Sequence, residues 1–265
     1  MIKLGVNTVL FKDFSFAEAC EAVARAGYDG VEISAIAGMC EHIVLDDWKS
    51  QAADIRAALS NTGMTILSSE VASQDPERLK KAFEAASELG IPVINIGPGG
   101  KMNEPGSLEA SIENIARLAE LAASFGVTLC AKAHVGAAIW NTETTLKLME
   151  GVQNPAFGID MDPSHIYRAG ENPADALPAV ISRVRHVHIR DCKGRQQNPG
   201  LPPMQACGRG DIDLIGYFRA MVRANYDGPV CLEVIGPSQT KEEACTIAAE
   251  SFGYMNAILR SMGAR

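Results

Sequence analysis

The chain has 265 residues and a formal net charge of −8, and 47% of its residues are hydrophobic. That acidity argues against a nucleic-acid partner, which calls for a basic patch, and the apolar runs stop well short of the roughly 18 residues a membrane-spanning helix needs. Seven cysteines without Cys-x-x-Cys spacing read as reduced thiols, mostly core filler, not as a disulfide or zinc framework.

The opening "MIKLGVNTVLF" starts directly as a strand, without the layout of a signal peptide, so a cytoplasmic setting is expected. Short apolar, β-branched runs mark strands at 3–9, 30–34, 65–71 and 93–97, then at 128–134, 157–162, 184–190 and 229–235. Helical patterns lie between them. In "DPERLKKAFEAASELG" Asp75 is an N-cap, Pro76 the first helical residue and Gly90 the stop. Further helices are expected in "SLEASIENIARLAELAASFG", "NPADALPAVISRV" and "TKEEACTIAAESFGYMNAILRSM". Eight strands alternating with eight helices at roughly 30-residue spacing predict an α/β fold, a (β/α)8 TIM barrel. The competing doubly wound sheet usually shows a Gly-rich first turn, which is missing. Residues 1–265 read as one domain, and 191–211 as a long loop after the seventh strand.

Barrel chemistry sits at the C-terminal ends of the strands. The polar residues there are Glu32, Glu70, Lys132, His134, Asp162, His165, His188, Asp191 and Glu233. Buried carboxylates and imidazoles are costly unless paired or metal-bound, so a convergent ring of them points to a site. Asp162, His188 and Glu233 end three consecutive strands, and two carboxylates with one imidazole suit Mn²⁺, Mg²⁺, Co²⁺ or Zn²⁺. The competing reading is a buried ion-pair network. His165 is a substrate contact, a supporting partner or an ordinary loop histidine. Glu70 is a ligand for substrate hydroxyls or a base, and Arg209 in the long loop a contact for an anionic or hydroxyl-rich substrate. Glu32, Cys130 and His186 read as structural, and nothing distinguishes His42 from a surface residue.

The segments "GYDGVEIS", "FGIDMDPSHIYRAGENP", "VRHVHIRDCKG", "GRGDID" and "YDGPVCLEVIG" together resemble the sugar phosphate isomerase/epimerase superfamily, the xylose-isomerase-like TIM barrels. The resemblance covers nearly the whole chain. It implies a divalent metal, manganese foremost, held by a carboxylate, an Asp, a His and a Glu from strands five to eight. Asp162, His188 and Glu233 match the last three. It also implies two metal-bound glutamates that move a proton on opposite faces of an enediolate; of these, Glu233 remains. The implied reaction is isomerisation or epimerisation of a keto sugar, sugar acid or sugar phosphate. A dehydratase or lyase on the same site is the first alternative, and a metal-free binding or scaffold protein the second. The expected partner is a small carbohydrate, with self-association left open.

The chain departs from the family at the fifth strand, where Glu-Asn-His is usual and Lys132-Ala133-His134 stands here. An ammonium about 5 Å from another cation is repelled by about 3 kcal/mol per unit charge at an effective dielectric near 20. Three roles follow for Lys132: a neutral catalytic amine, a charged holder of a substrate oxyanion with His134 replacing the missing ligand, or a counter-ion to Asp162 or Glu233 in a site that has lost its metal. Strand alternation places His134 on the face of Lys132, where it would touch metal or substrate.

Overall fold

The computed structural model describes residues 1–196 and 198–265. Its strands are β1 (Lys3–Asn7), β2 (Gly30–Ile36), β3 (Cys40–Glu41), β4 (Thr65–Glu70), β5 (Val93–Ile96), β6 (Thr128–Lys132), β7 (Phe157–Met161), β8 (Val184–Ile189) and β9 (Pro229–Leu232). Eight of them pair in parallel in the order β1-β9-β8-β7-β6-β5-β4-β2, and β1 also pairs β2, so the sheet closes into the expected (β/α)8 barrel. The exception is β3, a two-residue strand antiparallel to the end of β2. Nothing in its sequence announced it.

The helices are α1 (Phe16–Ala26), α2 (Trp48–Thr62), α3 (Pro76–Leu89), α4 (Ser107–Ser124), α5 (Thr142–Gly151), α6 (Pro163–Arg168), α7 (Pro173–Val180), α8 (Leu214–Arg223) and α9 (Lys241–Ser261). Local chemistry sets their ends. Ser15 and Glu18 form a capping box on α1, as Thr240 and Glu243 do on α9. The Asp75 side chain accepts from Glu77 N–H ahead of Pro76, and Gly90 ends α3 with a left-handed φ of 72°.

Two boundaries differ from expectation, and both bear on the site. Strand β6 ends at Lys132, because the backbone of His134 turns away to bond Ile139 and Ala137. His134 is therefore a loop residue, not the next inward position of a strand. After β7 the chain forms the short helix α6, whose N-cap is Asp162.

Alternation sends Val6, Val31, Ile33, Ile94, Ile96, Leu129, Ile159, Val187 and Leu232 outward, where they are buried against the helices in the main core. Each such burial contributes about 1.5–3 kcal/mol. The barrel interior is different. Near its floor Gly5 leaves no room for a side chain, since a Cβ there would lie 2.8 Å from Cys231 Sγ and Leu67 Cδ1. Above it the interior is polar. The register sets Lys132 beside Asp160, Asp160 beside His186, and Glu70 beside Asn95. No helix among the described residues is long and apolar enough to cross a membrane.

Candidate active site

The inward polar residues fall into two layers. The deeper one is sealed. His186 Nδ1 lies 2.9 Å from Asp160 Oδ1, and its Nε2 2.9 Å from Ser68 Oγ. Asn95 Nδ2 donates to Glu32 Oε1 at 2.6 Å. His188 is caged between two carboxylates, with Nε2 2.5 Å from Glu32 Oε2 and Nδ1 2.5 Å from Asp160 Oδ2. Burial alone would lower the His188 pKa, but Asp160 and Glu32 outweigh it and hold the ring as an imidazolium. Conversely, burial would raise Glu32 and Asp160, yet the facing imidazoles pull both below the usual carboxylate range.

The upper layer opens into a cavity of about 530 Å³. Glu70, Lys132, His134, His165, Arg190 and Glu233 line it on the polar side, and Ile36, Met39, Pro98 and Ile235 on the apolar side. Lys132 Nζ donates to Glu233 Oε1 at 2.7 Å and lies 3.4 Å from Glu70 Oε1 and 3.3 Å from His188 Nδ1. Burial would lower its pKa, but the two glutamates outweigh burial and the shift is upward. The two glutamates thus hold Lys132 as an ammonium, which favours the charged roles considered from sequence over the neutral amine.

The two glutamates diverge. Glu70 Oε2 accepts from Asn7 Nδ2 at 2.6 Å. Burial pushes its pKa up to about 7, against the pull of Lys132 and with the repulsion of Glu233. Glu233 sits between Lys132 and Arg190, whose Nη1 is 2.9 Å from Oε2. Burial raises its pKa, but the two cations overcome that and hold it well below the usual range.

Asp162 caps α6 through Oδ1, which accepts from Ser164 N–H at 2.7 Å, while Oδ2 faces Arg190 Nη2 at 3.4 Å and His165 Nε2 at 3.6 Å. His165 lies between two guanidinium groups, with Nδ1 2.9 Å from Arg168 Nη2 and Nε2 3.0 Å from Arg190 Nη2. Burial, then Arg190, keep it neutral. His134 stacks on it with ring centroids 4.1 Å apart and its Nδ1 3.0 Å from Val135 O. Three buried polar atoms here lack a hydrogen bond: Asp162 Oδ2, Arg190 Nη1 and Glu233 Oε2.

The structure thus brings Glu70, Lys132, His134, His165 and Glu233 to one cavity. His188 and Asp162 lie behind its wall. Arg209 is not brought there: it forks onto Glu250 of α9 at 2.6 and 2.5 Å, on the outer surface. Asp191 serves the long loop, where its carboxylate accepts from Cys192, Ile212 and Gly208 N–H. A groove of about 590 Å³ between α7 and α8 draws none of its lining from the strands. Arg190, Asp160, Asn7 and Asn95 were missed from sequence. Arg190 had a signal, since it follows His186 and His188 at strand period on one face.

Among the described residues, three groups have donor atoms within 4.8 Å of one another and so could hold a metal: Glu32, His186 and Cys231; Asp160, His186 and His188; and Glu32, Glu70 and His188. None includes Asp162, Glu233 or His134. Of the expected ligands, Asp162, Glu233 and His188 do not fit an ion as they stand. Lys132 and Arg190 engage the oxygens of Glu233, Arg190 faces Asp162, and carboxylates take both nitrogens of His188.

A family model described as a xylose isomerase-like TIM barrel matches residues 20–257. The chain is 24% identical over 260 residues to an inosose dehydratase of Clostridium botulinum, covering 84% of this chain and 83% of that one. It is 25% identical over 253 residues to a putative L-ribulose-5-phosphate 3-epimerase of Escherichia coli, with 88% of each covered. Among solved structures it resembles a D-allulose 3-epimerase from Methylomonas sp., with a TM-score of 0.77, 19% identity and 97% and 98% of the chains covered. A probable 3-DHS dehydratase from Bacillus anthracis also gives 0.77, at 15% identity over 96% and 99% of the chains.

Proposed function

We propose a function from one premise: the chain belongs to the xylose isomerase-like TIM barrel family. It is an enzyme that moves a proton beside the carbonyl of a keto sugar, sugar acid or sugar phosphate, as an isomerase or epimerase. The observation that carries this reading is Glu70–Lys132–Glu233 at the cavity floor, where a carboxyl whose pKa burial pushes up to about 7 adjoins the Lys132 ammonium.

The apolar wall takes the carbon face of the substrate, and the carbonyl oxygen turns toward Lys132. Glu70, ionised, removes the proton from the adjacent carbon, and the bonding pair moves into a carbon–carbon double bond as charge collects on oxygen. The Lys132 ammonium stabilises that charge, as an oxyanion donor does. To complete an isomerisation, Glu70 returns its proton to the former carbonyl carbon while the neighbouring hydroxyl passes its proton to the former carbonyl oxygen and becomes the new carbonyl. Glu233, expected from sequence to be the acid/base, is a poor acceptor between two cations and instead aims the ammonium. His134 and His165 face substrate hydroxyls. This scheme assigns no step to manganese or any other divalent ion.

A dehydratase is the second reading. Two named relatives favour it. A panel of keto sugars, sugar acids and inososes in D₂O tests both. Carbon-bound deuterium in an otherwise unchanged mass supports the isomerase, and loss of water supports the dehydratase. Absence of both across the panel leaves the binding or scaffold reading.

A further inference from the structure

We infer that Lys132 is the resident cation of this site, a tethered ammonium standing where the family resemblance leads one to expect a divalent ion. The inference rests on the cavity being the reaction site, as read above.

Position is the first argument. Nζ is enclosed by Glu233 Oε1, His188 Nδ1 and Glu70 Oε1 at 2.7, 3.3 and 3.4 Å, donors supplied by β8 and by the ends of β4 and β9. The ammonium thus fills the space among these three side chains, and no group with metal-like spacing includes Glu233. Saturation is the second. The remaining Glu233 oxygen and Asp162 Oδ2 face Arg190, and His188 Nε2 faces Glu32. Charge is the third. Exchanging a carboxylate for an ammonium at position 132 adds two units of positive charge, the charge a divalent ion would bring, and like charges packed this closely are disfavoured.

The three clusters with metal-like spacing do not offer another seat. Within each, donor atoms are already bonded to each other or to neighbours: His186 to Asp160 and Ser68, His188 to Glu32. Only Glu70 among their members lines the cavity, so two of the clusters lack the entry path a metal site requires, and in the third Lys132 Nζ already lies against Glu70 and His188.

The test is metal content and Mn²⁺ binding, read by elemental analysis and by the EPR signal of free Mn²⁺. Wild-type protein purified without chelator should carry well under about 0.2 divalent ion per chain and leave added micromolar Mn²⁺ free. Lys132→Glu should bind Mn²⁺ at least about 100-fold more tightly than wild type, because repulsion is replaced by a ligand. If that variant does not fold, Lys132→Gln removes the ammonium and should show a smaller gain of the same sign. Near-stoichiometric metal in the wild type, or no gain in a folded variant, overturns the inference. Both readouts follow metal and neither follows turnover, so this inference and the reaction fall separately.

Discussion

The two layers of the barrel interior use the same residue types to opposite ends. In the lower one, Glu32, Asp160, His186 and His188 are enclosed and answer one another's charge, and none of them meets the cavity. In the upper one, Glu70, Lys132, Arg190 and Glu233 also pair, yet they face the cavity, and two of them keep polar atoms without a hydrogen bond. A buried charge is therefore not a sign of chemistry by itself. What separates the layers is access, since Asp160 Oδ2 and Asn95 Oδ1 below also lack a hydrogen bond, and the lower layer is the platform that fixes the upper one.

That contrast is broken most severely from below. Asp160→Ala leaves two caged histidines without their shared carboxylate, and removal of one partner from a buried pair costs about 3–5 kcal/mol. Chemical denaturation should show that loss; an unchanged midpoint would mean that the lower layer bears little of the stability.

In the upper layer the penalty should fall on catalysis. Glu70→Gln keeps the shape and removes the proton acceptor, so turnover should drop by about 10²–10⁴-fold while circular dichroism stays that of the wild type. Near-normal deuterium exchange in this variant would move the base elsewhere. Lys132→Met keeps the apolar stem and removes the charge; turnover should fall by about 10²–10³-fold.

The pH profile sharpens the same distinction. With Glu70 as a base titrating at about 7, kcat/KM should rise through an apparent pKa near that value. Lys132 lowers the Glu70 pKa, so Lys132→Met should move the limb upward. A limb that stays in place would detach it from Glu70. The linked stability effect has the opposite slope. A carboxyl whose folded pKa is raised favours the folded state below its unfolded value, near 4.5, and this contribution is lost as pH rises through about 7. The smallest effect is expected at Arg209, exposed and paired with Glu250. Arg209→Ala should change stability by under about 1 kcal/mol and leave kinetics unaltered; a raised KM would restore it as a substrate contact.

The barrel was legible because strand runs and helix caps are local signals, such as Asp75–Pro76 before α3. The site was legible where one strand supplied it: Glu70, Lys132 and Glu233 follow from their places at strand ends. Asp162 carries the same Asp-Pro signal as Asp75, and both cap a helix. His134 was misplaced on a strand because strand ends depend on where the next turn finds its hydrogen bonds. The pairing of Arg209 with Glu250, like that of Asn7 with Glu70, joins residues distant in sequence, and no local pattern encodes such a contact.

The carboxylate of Asp191 carries a consequence for how this barrel tolerates change. By receiving Cys192 N–H at one end of the long loop, and Gly208 and Ile212 N–H at the other, it ties the two ends together beside β8. The chain between them is a closed circuit, and lengthening such a circuit is entropically cheap, about 0.6 kcal/mol for each doubling. Gln205 fixes the later part by bonding Gly200 and Ile235 carbonyls through Nε2, and the earlier part is fixed by Gly194 N–H on Asp211 Oδ2 and by Arg195 on the Tyr167 and Glu171 carbonyls. Glycine and serine inserted after Pro199 should shift the melting temperature far less than Asp191→Ala. The mouth can thus acquire new loops, and with them new substrates, without disturbing the strands that hold Lys132 and Glu233.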